Sequence, residues 1–390
     1  MSTREMFDVL IVGGGLAGLS LACALRETRL KIALIEQRPP KRSEGWDARV
    51  YAISPANVAF LEQIGVWKHL PAERLAPIDA MQVRGDAGAR LDFSAYRCGL
   101  PTLGWILESS LMACELWENV KRQGNVHLLC PAQPQHLEST REAMHLTLDD
   151  GRVLATRLLV GADGRDSYIR EASGLSAIHT PYGEMGVVAN FECRVPHRGI
   201  ARQWFRRDGV LAWLPLAGAR MSMVWSTPDE HAQELLALPE DDLCARVAAA
   251  GECALGALRL LTPAAAFPLR LVRVPHTVAH RVALIGDAAH GIHPLSGHGI
   301  NLGYQDARVL ASLLSETPDW QDLGNPRLLR RYQRERREET MLLQTATHVL
   351  HQLFQHDFPG LRTLRNLGMN LVDDLPVLKN ILVRYAVGLF

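Results

Sequence analysis

The sequence predicts an α/β protein in which a parallel-sheet domain is interleaved with a mostly antiparallel α+β second domain, followed by a helical C-terminal tail. Three observations carry that expectation. A short apolar strand near the N-terminus runs straight into a glycine-rich turn and a helix. Two later strands end on Asp-Gly or Gly-Asp. Between those two, residues 200 to 226 alternate apolar and polar positions as antiparallel strands do.

The first strand is FDVLIV, residues 7 to 12, apolar and β-branched as a strand buried on both faces must be. Gly13-x-Gly15-x-x-Gly18 follows at once, then the Ala/Leu-rich helix pattern LSLACALRET, then a second strand, KIALIE, closing on Glu36. In this Rossmann-like order Gly13 permits the tight turn, Gly15 lets a pyrophosphate approach the backbone, and Gly18 allows close helix–strand packing. The amides of the helix N-terminus face the phosphates, and Glu36 is placed for the hydroxyls of a ribose. The fingerprint specifies an ADP moiety without separating NAD from FAD.

Composition excludes several alternatives. Lys+Arg and Asp+Glu balance at 42 each, so no basic excess points to nucleic acid. The 7 cysteines are scattered and never form CxxC, which fits a reducing cytoplasm and neither a zinc ribbon nor a disulfide framework. Residues 9 to 25 are uncharged, but Gly13, Gly14, Gly15 and Gly18 interrupt them as a membrane span. Only six residues precede the first strand, no room for a mitochondrial presequence, and a bacterial cytoplasmic location is expected.

RLLVGADGRDSYIR, residues 157 to 170, is a strand entering an Asp163-Gly164 turn. RVALIGDAAHGIHPLSGHGINLG, residues 281 to 303, repeats the pattern with Asp287 at the strand end and a helix entered through Gly297 and Gly299. Ligands of open α/β sheets bind beyond the carboxyl ends of strands, so the three ends are expected to converge on one extended ligand. His290, His293 and His298 do not read as a metal site: Pro294 and Gly297 break any helix that would align them, and no carboxylate follows at zinc-site spacing. Within 200 to 226, Trp213, Leu214, Met221, Met223 and Trp225 are expected to supply one apolar sheet face.

GGGLAG, GADGRDSYIR and GDAAHGIHPLSGHGINLG together resemble the FAD-dependent aromatic monooxygenases of the para-hydroxybenzoate hydroxylase type. DARVYAIS (47–54), LPLAGARMSMVWS (214–226) and LGMNLVDDLPVLKNILVRYAVG (367–388) look most like the ubiquinone-biosynthesis hydroxylases within it. The resemblance implies that Gly13, Gly15, Leu16, Ala17, Gly18 and Glu36 hold the ADP half of FAD, with Arg49 and Glu108 beside the cofactor. It implies that Asp287 bonds the ribityl chain and that Asp163 serves both FAD and the passing nicotinamide nucleotide. Gly297, His298, Gly299, Ile300 and Asn301 would present amides to the pyrimidine end of the flavin, and His293 and Pro294 would lie near its ring. Relatives usually carry Gln where His298 stands and Asn where Ser109 stands. No catalytic side chain is implied, because this chemistry has no base shared across the family.

The implied reaction consumes NAD(P)H and O2 and hydroxylates a polyprenylated phenol. Other ubiquinone-biosynthesis proteins and peripheral contact with the inner membrane are the implied partners. Alternatives that stay open are a hydroxylase of a soluble aromatic, an FAD reductase of isoprenoid double bonds, and a non-catalytic flavin-fold subunit of a quinone-synthesis complex. The expected division is 1–75, 100–178 and 270–345 for the FAD domain, 76–99 and 179–269 for the substrate domain, and 346–390 for the tail.

Overall fold

The computed structural model describes residues 5–86, 88–292 and 299–355. Five parallel strands form its nucleotide-type sheet, in the spatial order Val282–Leu284, Val153–Gly161, Glu5–Val12, Ile32–Ile35, Val126–Leu129. The first strand in sequence is therefore central, with neighbours added on either side of it. Crevices form where strand order reverses in this way. Val9, Leu10 and Ile11 are fully buried because both faces of the strand are covered, which is why the sequence shows an unbroken apolar run. The helices Leu16–Ala24, Ser109–Lys121 and Gly299–Ser315 cover one face through Leu19, Met112, Leu116, Tyr304 and Leu310. The antiparallel pair Pro134–Ser139 and Met144–Leu148 closes the other over Phe7, Leu10 and Ile35.

A second, nine-stranded sheet is built around the long strand Ile178–Cys193. Its antiparallel centre runs through Arg220–Pro228, Gly209–Leu216 and Ile200–Arg206, matching the sequence alternation closely. Gly218 takes the left-handed turn between two of these strands at φ 77°. The strands Ala80–Arg84 and Arg90–Ser94 extend the sheet on one side, and Ala265–Arg273 on the other. That last strand runs past residue 270 because Val272 and Arg273 pair with Gly291 and His290, which ties the late glycine-rich segment into this sheet. The segment Ala76–Ile78 instead joins Val50–Ile53 and Gly104–Glu108 in a small three-stranded sheet between the two larger ones. The helix Pro326–Gln355 includes the beginning of the expected tail; residues 356–390 lie outside the described residues.

One expectation needs correction. Trp213, Met221, Met223 and Trp225 do share a face, but it packs beneath the helices Asp229–Ala237 and Glu240–Ala250, against Phe191, Leu235 and Val247. Leu214 points the opposite way, toward Ile78, Ile106 and Trp46, as strand alternation requires of neighbouring residues. The tryptophan face is thus a core that holds the sheet together and does not look toward the parallel-sheet domain. Replacing Trp213 by alanine should lower unfolding stability by about 3–5 kcal/mol. Urea unfolding should show Leu214→Ala to be the milder change, since its side chain is only half-buried.

Candidate functional site

Glycine and alanine bring the three strand ends together. Gly13 has φ 110°, and a Cβ there would lie 2.3 Å from the Ala162 carbonyl oxygen, so the first turn rests directly on the backbone of the second. Ala162 in turn donates its N–H to the Val12 carbonyl, and Ile285 donates to the Gly161 carbonyl. A Cβ on Gly18 would come within 2.0 Å of the Gly13 oxygen, which is the close helix–strand contact the fingerprint anticipates. On the far side, Ala17 packs against Gly286 and Gly303, where added Cβ atoms would sit 3.0 Å and 3.4 Å from its methyl group. Gly13 to Gly18, Gly161 and Ala162, Gly286 and Gly303 therefore meet at one edge of the sheet.

The cleft that results has the parts a dinucleotide needs. A Cβ on Gly15, the residue before the first helix, would meet no atom within 4 Å, so the space beside this turn is open. Glu36 leaves the second strand toward the same place and accepts hydrogen bonds from the N–H groups of Gly14 at 2.5 Å and Arg38 at 3.0 Å. Leu16 and Ala17 begin the helix whose free amides end at this opening.

Asp287 follows Gly286, which has φ 60°, and its carboxylate is about half exposed. The Nε of Arg165 approaches it at 3.3 Å. Asp163 behaves differently: it accepts from the Ser167 hydroxyl at 2.5 Å and the Ile169 N–H at 3.0 Å, and so fastens the turn into the Tyr168–Ala172 helix. Burial pushes its carboxyl above the usual range, with those hydrogen bonds pulling it partly back. Arg170, fully buried, donates to the carbonyls of Ala288 at 3.2 Å and Arg165 at 2.9 Å, joining the middle motif to the turn that carries Asp287.

Two other predicted residues have their side chains engaged within the protein. Glu108 is buried; it accepts a two-pronged bond from Arg74 at 2.7 and 2.6 Å and another from the Asp47 N–H at 2.6 Å. Both oxygens are thereby used in fixing the 45–49 segment, in which Arg49 is exposed and Trp46 lies under the Arg74 guanidinium at 3.9 Å. Asn301 accepts from the Ser54 N–H and the Asn57 amide, both at 2.9 Å, and donates to the Ala52 carbonyl at 2.7 Å. Its side chain thus docks the late helix on the DARVYAIS segment. His293, Pro294, Gly297 and His298 lie outside the described residues.

One face of the antiparallel sheet looks onto the 45–54 segment and the small three-stranded sheet. Ala212 and Val224 pair across its central strands and, with Leu214, stay half-exposed, whereas Leu211, Trp213 and Trp225 on the reverse face are at most 1% exposed. Asn190, on the same face as Val224, reaches the Asp47 carbonyl at 2.8 Å, so this face looks onto the 45–54 segment.

Sequence reasoning missed Asp306, His290 as its partner, Arg336, Arg74, Asn57 and Arg170. Asp306 is buried with His290 Nε2 at 2.6 Å, Arg336 Nε at 2.8 Å and the Gly286 N–H at 2.9 Å. Burial alone would raise its carboxyl, but His290 and Arg336 hold it below the ordinary carboxylate range. A charged residue inside the otherwise apolar stripe of the Gly299–Ser315 helix was the available signal.

Comparison with known proteins places the arrangement. The family model described as "FAD binding domain" matches residues 6–346. The ubiquinone hydroxylase UbiL of Rhodospirillum rubrum is 35% identical over 99% of this chain and 91% of its own length. The 3-demethoxyubiquinol 3-hydroxylase of Escherichia coli is 31% identical, covering 99% of this chain and 100% of that one. Among solved structures, Pseudomonas aeruginosa PqsL in complex with 2-aminobenzoylacetate superposes with a TM-score of 0.78 at 24% identity, over 94% of this chain and 99% of that one.

The open space at Gly15, the carboxylate of Glu36 and the half-exposed Asp287 fit FAD. Gly15 has φ −75°, which alanine adopts freely, so Gly15→Ala should leave the apoprotein as stable or up to about 1 kcal/mol more stable. FAD titration by fluorescence should nevertheless show about tenfold or more weaker binding, because the new methyl occupies the pyrophosphate's seat. Unchanged affinity would place the pyrophosphate elsewhere. Fold, cleft and full-length relatives agree that the chain belongs to the FAD-binding-domain family and is an FAD-dependent monooxygenase.

Proposed function

We propose that the chain hydroxylates the aromatic ring of a polyprenylated phenol in ubiquinone biosynthesis, using FAD, NAD(P)H and O2. The observation that carries this reading is its end-to-end similarity to proteins named ubiquinone hydroxylase and 3-demethoxyubiquinol 3-hydroxylase. Bound flavin supplies the activation of oxygen that no protein side chain provides. The protein's part is placement. Gly13, Gly15, Leu16, Ala17 and Gly18 seat the pyrophosphate on backbone amides, Glu36 bonds the adenosine ribose, and Asp287 bonds the ribityl hydroxyls. Arg165 beside Asp287 and Arg49 at the exposed edge of the 45–54 segment supply positive charge where the anionic co-substrate passes.

The sheet face with Ala212, Leu214 and Val224, together with Met81 and Val50, forms an apolar wall against the phenol and keeps bulk water from the reacting ring. No acid–base residue is required of that wall, and none is assigned. The polyprenyl tail puts the substrate in a bilayer, so peripheral membrane contact and association with other enzymes of the same route belong to the proposal. Among the described residues no helix is long and apolar enough to cross a membrane.

Flavin-loaded protein given NAD(P)H and a short-chain prenylated phenol should take up oxygen and return a product one oxygen atom heavier. Uptake that ignores the phenol, or equal turnover of a soluble carboxylated phenol, would refute the substrate assignment. Deleting the gene should make cells accumulate a quinone precursor lacking one ring hydroxyl, and the protein should float with anionic liposomes.

A further inference from the structure

Asp306 grips both ends of the segment that carries Asp287. One carboxylate oxygen accepts from the N–H of Gly286, immediately before Asp287, and from Nε2 of His290, three residues after it. The other oxygen accepts from Arg336 Nε on the Pro326–Gln355 helix, and Arg336 is itself braced by Gln305 at 3.2 Å and Glu339 at 2.5 Å. Asp306, His290 and Arg336 are all nearly inaccessible to solvent. Asp287, between the two gripped points, is the part of the segment that remains open. Every group facing the Asp306 oxygens is a donor, so an amide at this position would turn its NH2 toward an N–H in either orientation.

We propose that Asp306 is a positioning residue for the cofactor, setting the direction in which Asp287 is presented to the flavin side chain. The proposal rests on the assignment of Asp287 to that side chain. The strain it controls is local: Gly286 holds a left-handed conformation, and without its N–H partner the turn has other conformations open to it. Because Asp306 sits on the helix that begins at Gly299, the same carboxylate sets the distance between Asp287 and the helix start. Both would face one ligand, and groups that orient a ligand-holding residue contribute to affinity without touching the ligand.

A double-mutant cycle on FAD affinity tests this, read by flavin fluorescence with the visible flavin spectrum alongside. Far-UV circular dichroism and thermal melting of each apoprotein report folding. Asp287→Asn and Asp306→Asn should each weaken FAD about tenfold or more, and the double variant should be no weaker than the worse single one, since both act through one contact. The Asp306→Asn spectrum should shift toward that of Asp287→Asn. If Asp287→Asn binds FAD as the parent does, the assignment of Asp287 fails, and the positioning role fails with it. If Asp287→Asn is weak but Asp306→Asn is not, or the two losses multiply to about a hundredfold, Asp306 acts only on the fold and the proposal is overturned. Should Asp306→Asn not fold, His290→Gln removes one arm of the grip and is judged in the cycle by the same criterion.

Discussion

Backbone touching backbone is the constraint on which this structure depends. At Gly13, Gly18, Gly286 and Gly303 neighbouring segments approach so closely that a methyl group would meet a carbonyl oxygen, a backbone Cα or another methyl at 2.0 to 3.4 Å. The gain is directional. With no side chains between them, the ends of the strands Glu5–Val12, Val153–Gly161 and Val282–Leu284 bring backbone N–H groups and short acidic side chains to one edge of the sheet. A helix N-terminus so placed binds a pyrophosphate through dipoles that are already oriented, and little is reorganised on binding. An ordinary core of large side chains would be as stable but would hold the segments too far apart.

Behind that edge lie polar clusters whose roles differ from those of the groups facing the cleft. Glu108 with Arg74, Asn301 with Ser54 and Asn57, and Asp306 with His290 and Arg336 each join segments distant in sequence. Burying such groups is unfavourable unless their bonding capacity is filled, and a cluster with one member removed leaves a charge or dipole unsatisfied. That asymmetry suits a site which must keep one geometry: the arrangement is either complete or strongly disfavoured. Burial and compensation are visible together at Asp306, where desolvation would raise the carboxyl and its contacts with His290 and Arg336 more than offset it.

These two kinds of feature were unequally legible in the sequence. Gly13, Gly15 and Gly18 could be read because the turn, the approach and the packing are local and only one residue type satisfies them. The strands between 200 and 226 could be read because a two-residue period survives in any context. Asp306 gave only the signal of a charge inside an apolar helix stripe, and its partners at Gly286, His290 and Arg336 are too distant in sequence to be read from it. The hydrogen bonds that the Glu108 and Asn301 side chains make to Arg74, Ser54 and Asn57 could not be read either, as single sequence positions do not reveal which way a side chain turns. Leu214 was grouped with Trp213 by composition when strict alternation separates them.

The two faces of the antiparallel sheet explain how an open site and a stable domain coexist. Trp213, Trp225, Met221 and Met223 bury a large apolar area under two helices, and aromatic side chains contribute the most per residue to such a core. With the sheet secured from behind, the front face needs no bulk, and its central positions are the small Ala212 and Val224. Small residues in front cost the sheet little, whereas small residues behind would leave a cavity costing several kcal/mol. Substrate choice in this chain should therefore reside in alternate positions of these strands, the set containing 212, 214 and 224. Enlarging Ala212 or Val224 would change this face and leave the tryptophan core untouched, whereas Leu214 already packs against Ile78 and Ile106.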